Sequence, residues 1–304
     1  MIVVDLFAGM GCFTEAAVLA GMRPVWAANH KPLAVEIHAR NHPGVQHACQ
    51  DLHQTDWRDV PRMDILCASP ACTGHTPARG KDQPHHDTAR STAWAVISAL
   101  EYHRPPAAVV ENVKAFTAWA LFPAWCAAAH ALGYAISINV SDAADHGVPQ
   151  NRVRAFIVLT RSKHPLEIVL PRRAHQPAAS FIDFEAGRWS PIHKPGRSLA
   201  TLQRIADGRR RFGPRFLAPF YGSGSGTTGR SLDRPIGTIT TRDRWSVIDG
   251  DRMRMLLPTE ARDAMGLRKT YILPDDPKEA IFMLGNAVAP QQARDYLEAV
   301  KEAL

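Results

Sequence analysis

Short apolar runs alternate with longer stretches of helical periodicity through the first half of the chain. The runs with the composition of buried strands are 1–7, 23–30, 63–70, 107–113 and 154–160. The stretches whose apolar residues recur at helical spacing are 14–21, 32–43, 91–105 and 117–133. Strands that alternate with helices in this way predict an α/β fold with a doubly wound, mostly parallel sheet.

This regular pattern stops near residue 165. Pro, Arg, Trp and Gly are frequent beyond it, and the short runs "GTITT" and "RWSVI" are typical of strands. Helical periodicity returns at 259–266 and 290–304. We predict a first domain, a second, smaller and irregular domain, and a C-terminal segment that returns to the first. Their predicted bounds are 1–164, 165–248 and 249–304.

Doubly wound sheets bind ligands beyond the carboxyl ends of their strands. Cys72 lies there, between Pro70-Ala71 and the polar loop 73–89, which favours a reactive thiolate over a small apolar filler. Glu111 ends the apolar run "AAVV". Partial burial would raise the pKa of its carboxyl toward neutrality, although a helix-capping or surface carboxylate is the alternative.

Two further motifs have spacings that suit ligand binding. Gly9 and Gly11 lie in a strand-to-helix turn, where glycine lets the backbone approach a ligand. A plain tight turn explains these glycines nearly as well. Arg152 and Arg154 stand two residues apart at a strand entrance, so both guanidinium groups would lie on one face and suit a phosphate or a base carbonyl.

Charge and composition narrow the class of partner. The 304 residues carry a net charge of +7, with arginines concentrated in "RIADGRRRFGPR" and "TTRDRWSV". These clusters favour a polyanionic partner, and a solvated surface is the alternative.

The sequence has no apolar run of membrane-spanning length and no signal layout, so we expect an intracellular protein. The five irregularly spaced cysteines argue against a disulfide framework or a zinc site.

The ordered series of motifs resembles that of the C5-cytosine DNA methyltransferase family. The motifs that carry the resemblance are "DLFAGMGCF", "SPAC", "ENV", "GVPQNRVR", "LLPTEARDAMG" and "MLGNAVAP". The resemblance covers about 1–160 and 234–304 and leaves 165–233 as a target-recognition module. It implies the Rossmann-like fold of class I S-adenosylmethionine-dependent methyltransferases.

The resemblance also implies a mechanism. A methyl group would pass from S-adenosylmethionine to C5 of a cytosine that is flipped out of double-stranded DNA. Cys72 would add to C6 while Glu111 hydrogen-bonds or protonates N3. Arg152 and Arg154 would hold the cytosine and its backbone, and Asn112 would orient the loop around Glu111.

The family motifs imply further site residues, and the basic clusters add the arginines expected to contact DNA. The residues expected to bind the cofactor are Phe7, Ala8, Gly9, Gly11, Cys12, Phe13, Asn29, His30, Lys31, Asp51, Leu52, Pro70, Asn286, Ala287 and Val288. The residues expected to contact DNA are Thr73, His75, Arg209, Arg210, Arg211, Arg242 and Arg244. No metal is expected. We expect a cytoplasmic, nucleoid-associated monomer encoded by a bacterium or a phage.

Several positions depart from the family pattern. Thr73 stands where Gln usually follows the cysteine. At the positions of His30 and Lys31 the family commonly has an acidic residue for the ribose and an aromatic residue over adenine. We favour weaker binding of the ordinary donor. The alternatives are a carboxylated donor such as carboxy-S-adenosylmethionine, a tRNA cytosine-5 methyltransferase, and an inactive module that binds S-adenosylmethionine or DNA.

Overall fold

The computed structural model describes residues 1–71, 90–220 and 229–304. Its main sheet has seven strands, which are β1 Ile2–Leu6, β2 Arg23–Asn29, β3 Gln46–Cys49, β4 Ile65–Ala68, β5 Ala107–Val113, β6 Ala135–Asp142 and β7 Val153–Thr160. They lie in the order β3-β2-β1-β4-β5-β7-β6. The first five strands pair in parallel, whereas β7 is antiparallel to β5 and β6. The predicted doubly wound, mostly parallel sheet is confirmed.

Eight α-helices lie within the described ranges. They are α1 Cys12–Leu19, α2 Pro32–Asn41, α3 Ala93–His103, α4 Phe122–Ala131, α5 Leu199–Phe212, α6 Pro258–Ala264, α7 Pro277–Asn286 and α8 Pro290–Ala303. Proline is the first residue of α2, α6, α7 and α8. Its fixed φ suits the first turn, and its missing N–H has no helical acceptor there.

Side chains of the main sheet alternate between two helical layers. Leu66 belongs to the buried cluster that α3 and α4 complete, whereas Ile65 packs with residues of α1 and α8. On the second side, Tyr296 of α8 stacks on Phe156 with ring centroids 4.1 Å apart. The C-terminal helix therefore covers part of the sheet that begins at residue 2.

A second, antiparallel sheet lies later in the chain. Its strands are β8 Ser190–Pro191, β9 Arg215–Pro219, β10 Trp245–Asp249 and β11 Arg252–Met255, in the order β8-β11-β10-β9. Helix α5 packs on β9 where Gly208 meets Phe216. A Cβ at residue 208 would lie 2.2 Å from the Phe216 ring, so glycine permits this close approach. The second domain was predicted to end at residue 248, whereas the small sheet continues beyond this residue through β11.

Some elements differ from those that the sequence predicts. β3, β6, α5 and α7 form although their patterns did not predict them. The run "GTITT" forms no strand; next to it, Ile236 makes an isolated bridge to Gln150. The Gln150 side chain accepts a hydrogen bond from the Ile239 amide at 2.9 Å. This side-chain oxygen takes the place of the backbone carbonyl that a neighbouring strand would supply to the amide.

Within the described ranges, none of the helices has the length and apolar character needed to cross a bilayer.

Candidate active site

A cavity of about 370 Å³ opens at the carboxyl ends of the central strands. It lies at the edge where a doubly wound sheet binds its ligands. The residues predicted from cofactor motifs that line it are Phe7, Ala8, Gly9, Cys12, Phe13, Asn29, His30, Lys31, Pro70, Asn286, Ala287 and Val288. Glu111, Arg152 and Arg154 line the same cavity. Residues from six separate parts of the chain are thus brought together.

The turn after β1 has an unusual backbone conformation. Phe7 has φ 58° and Gly9 has φ 55°, both in the left-handed region. A Cβ at Gly9 would meet no atom within 4 Å, so this part of the turn faces open space in the cavity. A non-glycine residue with positive φ is strained, and such strain is concentrated at ligand sites.

Three predicted cofactor residues lie outside the lining of the cavity. Gly11, with φ 97°, packs instead against His38, because a Cβ there would lie 2.6 Å from the His38 ring. Leu52 is buried in the apolar core. The Asp51 carboxylate accepts from the His53 amide at 3.0 Å and caps a short 3-10 helix. The structure gives these three residues roles in folding rather than in the cavity wall.

The cavity also has lining residues that the sequence analysis missed, namely Met10, Ala34, Ser69, Ala71, Thr92, Val113, Phe282 and Met283. Ser69 and Ala71 directly follow β4, so the position of strand ends could have indicated them. Phe282 and Met283 come from α7; Met283 begins the motif "MLGNAVAP", whereas Phe282 lies just before that motif.

Glu111 is the buried acid of the cavity. It is the fifth residue of β5, and its Oε1 lies 3.1 Å from Arg154 Nε. Burial raises the pKa of Glu111 above its ordinary value of 4.5, and the charges of Arg154 and Arg152 oppose this rise. The site therefore contains a carboxyl group that retains its proton at higher pH than an exposed one does.

Arg152 does not act as the predicted partner fork of Arg154. It precedes β7, is 1% exposed, and donates to the main-chain oxygens of Ile239 at 3.1 Å, Gly285 at 2.9 Å and Ala287 at 2.6 Å. These bonds join the segment before β7 to two later parts of the chain. Arg152 and Arg154 line the same cavity, as their spacing predicts, but three hydrogen bonds from Arg152 go to backbone carbonyls rather than into the cavity.

Two hydrogen bonds fix the segment that leads out of β4. Asn112 Nδ2 donates to Pro70 O at 2.9 Å, and Thr92 Oγ1 accepts from the Ala71 amide at 3.0 Å. The backbone is thus held as far as Ala71. The predicted site residues Cys72, Thr73 and His75 come next and lie outside the described residues.

Lys31 has protein partners at the other end of the cavity. Its ammonium forms an ion pair with Glu279 of α7 and lies 4.6 Å from the centroid of the Phe282 ring. The Lys31 amide donates to Asn29 Oδ1 at 2.9 Å. The positive charge at residue 31 is therefore offset by a carboxylate of this chain.

The arginines predicted to contact DNA lie on α5 and in the segment before β10. Arg209 donates to Asp251 at 3.1 Å, and Arg210 forms an ion pair with Asp207. Arg244 donates to Phe220 O at 3.2 Å. Arg211 and Arg242 have exposed side chains. Intramolecular acids thus neutralise part of this basic surface.

Across the described ranges, no group of three or more His, Cys, Asp or Glu side chains is arranged to hold a metal ion.

The buried carboxyl of Asp5, the fourth residue of β1, predicts an unusual pH dependence of folding. Burial raises its pKa from 3.8 to about 7, while the Thr14 hydroxyl, which donates to Oδ2 at 2.8 Å, opposes the rise. The folded state keeps a proton that the unfolded chain loses near pH 3.8, so stability falls as the pH rises toward 7. Asp5→Asn should remove this loss.

The measurement is chemical denaturation at two pH values. Between about pH 5 and about pH 8, the wild type should lose on the order of 2 to 3 kcal/mol of unfolding free energy relative to Asp5→Asn. The exposed Asp59 provides the control, because Asp59→Asn should change with pH as the wild type does. Equal pH dependence of Asp5→Asn and the wild type would contradict the prediction.

Comparisons with known proteins agree with this geometry. The model of the C-5 cytosine-specific DNA methylase family matches residues 1–208. Type II methyltransferase M.NlaX of Neisseria lactamica is 26% identical over 312 residues, which cover 99% of this chain and 96% of the relative. Among solved structures, a prophage-encoded chain of E. coli has a TM-score of 0.72 at 17% identity, with 99% of both chains covered.

A mutant form of Spodoptera frugiperda DNMT2 has a TM-score of 0.73 at 16% identity, again with 99% of both chains covered. At these identities the solved structures show the fold, whereas the family match extends over more than half of the chain. The chain therefore belongs to the C-5 cytosine-specific DNA methylase family and is a DNA (cytosine-5-)-methyltransferase.

Proposed function

We propose that the cavity binds S-adenosylmethionine and that Cys72 and Glu111 methylate C5 of a cytosine flipped out of double-stranded DNA. The observation that carries this proposal is the position of Glu111. Its buried carboxyl lines the same cavity as the turn after β1 and as Ala71, the residue before Cys72. One cavity thus combines a turn suited to the donor with an acid suited to the acceptor.

The residues present fit the donor. A cavity of about 370 Å³ is within the range of small-molecule sites. The open backbone at Gly9 can approach a ligand closely, and the side chains of Asn29 and His30 can hydrogen-bond ribose hydroxyls. S-adenosylmethionine supplies an electrophilic methyl group on a positively charged sulfur.

Cytosine C5 must be made nucleophilic before it can accept this group. The Cys72 thiolate forms a bond to C6, and the electron pair of the C5–C6 double bond shifts onto C5 and, through C4, toward N3, so that C5 becomes nucleophilic. Glu111 donates a hydrogen bond or its proton to N3, which stabilises the developing negative charge. After C5 is methylated, loss of the C5 proton restores the double bond and releases the Cys72 thiolate.

The proposed reaction requires an extruded base. Cys72 must reach the C6 face while Glu111 reaches the N3 edge, and both are inaccessible within a stacked, paired duplex. Arg154 supports the reaction by holding the Glu111 carboxyl through their ion pair. Arg152 supports it indirectly, by fixing the backbone around the cavity.

The second domain, 165–248, is proposed to recognise the target. The arginines of α5 and of the segment before β10 are its candidates for phosphate contacts, and the side chains of Arg211 and Arg242 are exposed. We propose that the enzyme acts on DNA as a monomer.

The ordinary donor is favoured over the carboxylated one. An extra carboxylate on the donor would need an uncompensated cation, and Lys31 is already paired with Glu279. The carboxyl end of β2, where Lys31 lies, is also separated in the sheet from Glu111 by β1 and β4.

Radiolabelled methyl transfer by the purified chain tests the proposal. We expect duplex DNA to become labelled at cytosine C5 and tRNA to remain unlabelled. A duplex that carries 5-fluorocytosine at the target should trap a covalent complex, because fluorine replaces the proton whose loss releases the thiol. Cys72→Ala should bind DNA and form no adduct. Labelling of tRNA alone, or an adduct with Cys72→Ala, would overturn the proposal.

A further inference from the structure

Phe282 is a partly exposed aromatic ring in the wall of the cavity. It is 41% exposed, whereas its neighbours on α7, Ile281 and Leu284, are 5% and 0% exposed. The ring lines the cavity instead of joining the core beneath the helix. A large apolar side chain left open at a ligand site has surface available for a ligand to cover.

The ring is held in place by charged neighbours. Lys31 Nζ lies 4.6 Å from the ring centroid, which is within the range of a cation–π contact. Lys31 is in turn ion-paired with Glu279, which precedes Phe282 by three residues on α7 and so lies on the same side of the helix. These contacts place a cation against the aromatic ring at the wall of the cavity.

The position of Phe282 indicates which part of a ligand it meets. In a doubly wound sheet, the residue after β2 lies at the ribose of a bound nucleoside. Lys31 follows β2, and Phe282 contacts Lys31. Glu111 lies at the end of β5, on the opposite side of β1 and β4. Phe282 is therefore at the nucleoside end of the cavity, away from Glu111.

We propose that Phe282 stacks on the adenine ring of the donor, so that an aromatic ring from α7 serves where residue 31 supplies a cation. Lys31 and Glu279 are positioning residues for this ring. The inference rests on the donor site proposed above and adds a specific binding residue to it. Removing one aromatic partner from a stacked base weakens binding by about 5- to 100-fold.

The test is calorimetric titration of the ligand-free chain with S-adenosylhomocysteine. Phe282→Leu keeps an apolar side chain but removes the ring, and should weaken binding by about 5- to 50-fold. Phe282→Trp restores a ring and should bind within about threefold of the wild type. The control is Tyr102→Leu, which removes an aromatic residue that is 53% exposed on α3 and should leave affinity unchanged.

The outcomes separate this inference from the proposed donor site. Wild-type chain that fails to bind S-adenosylhomocysteine would overturn both. Wild-type binding with equal affinity for Phe282→Leu would overturn the stacking role and leave the donor site intact. A thermal melt without ligand accompanies each titration, and weak binding by Phe282→Leu at an unchanged melting temperature supports the stacking role.

In steady-state methyl transfer, Phe282→Leu should raise KM for the donor and leave kcat within about twofold, because stacking on adenine is made equally in the ground state and the transition state. A fall in kcat at unchanged KM would assign Phe282 to the reaction itself and overturn the inference.

Discussion

Replacing Glu111 with glutamine is expected to lower kcat for methyl transfer by about a hundredfold to ten thousandfold. Glutamine is close in size and can still hydrogen-bond, but it cannot supply a proton to N3. Because burial raises the pKa of Glu111, the wild type keeps the acid form to higher pH than an exposed glutamate would. The wild-type rate should decline as the pH rises through this pKa, and the residual activity of Glu111→Gln should lack that decline.

The control for this variant is Glu101→Gln on α3, where the side chain is exposed and remote from the cavity. It should retain full activity. Binding of S-adenosylhomocysteine should be the same for both variants, since the carboxyl acts on the acceptor. A Glu111→Gln enzyme that turns over within about tenfold of the wild type would contradict acid catalysis by this residue.

Replacing Arg152 with methionine is expected to lower the free energy of unfolding by on the order of 3 to 5 kcal/mol. Methionine fills much of the space but leaves the carbonyls of Ile239, Gly285 and Ala287 without this donor. Urea denaturation followed by circular dichroism measures the change. We expect the whole molecule to lose unfolding free energy, because the three carbonyls belong to different segments of the chain.

Arg161→Met is the matched control, since the Arg161 side chain is exposed, and its unfolding free energy should change by less than about 0.5 kcal/mol. If Arg152→Met unfolds like the wild type but loses turnover, Arg152 contacts the substrate and its role in fixing the backbone is contradicted.

The sequence predicted the part of the site that local pattern determines. Glu111 and the turn after β1 follow directly from strands whose apolar composition is unambiguous, and the rule of strand ends then places them at one edge. The same rule could have found Ser69 and Ala71. These residues depend on short stretches of chain, which a single sequence resolves well.

The rest depends on contacts between distant segments. Phe282 lies on α7 and reaches the cavity only because that helix packs beside residue 31, some 250 positions earlier in the chain. Arg152 was placed on a strand because its spacing from Arg154 suits one, yet its true partners are carbonyls from 239, 285 and 287. Neither relation leaves a local periodic signal.

Contacts outside the local sequence also explain why some helices and strands were not predicted. β6 lies at the edge of the main sheet, so Ile138 and Val140 remain exposed and the strand lacks a continuous buried face. Arginines and a glycine interrupt the apolar pattern of α5, and the helix is stabilised by packing on β9 rather than by its own composition.

The last helix, α8, packs against α1 in one buried cluster, to which it contributes Tyr296, Leu297 and Val300. Since α1 starts where the turn after β1 ends, the C-terminal helix supports that turn. Dividing the gene before α8 would yield two fragments that depend on each other for this layer. Their complementation in trans offers a way to make DNA modification conditional on bringing two separately expressed pieces together.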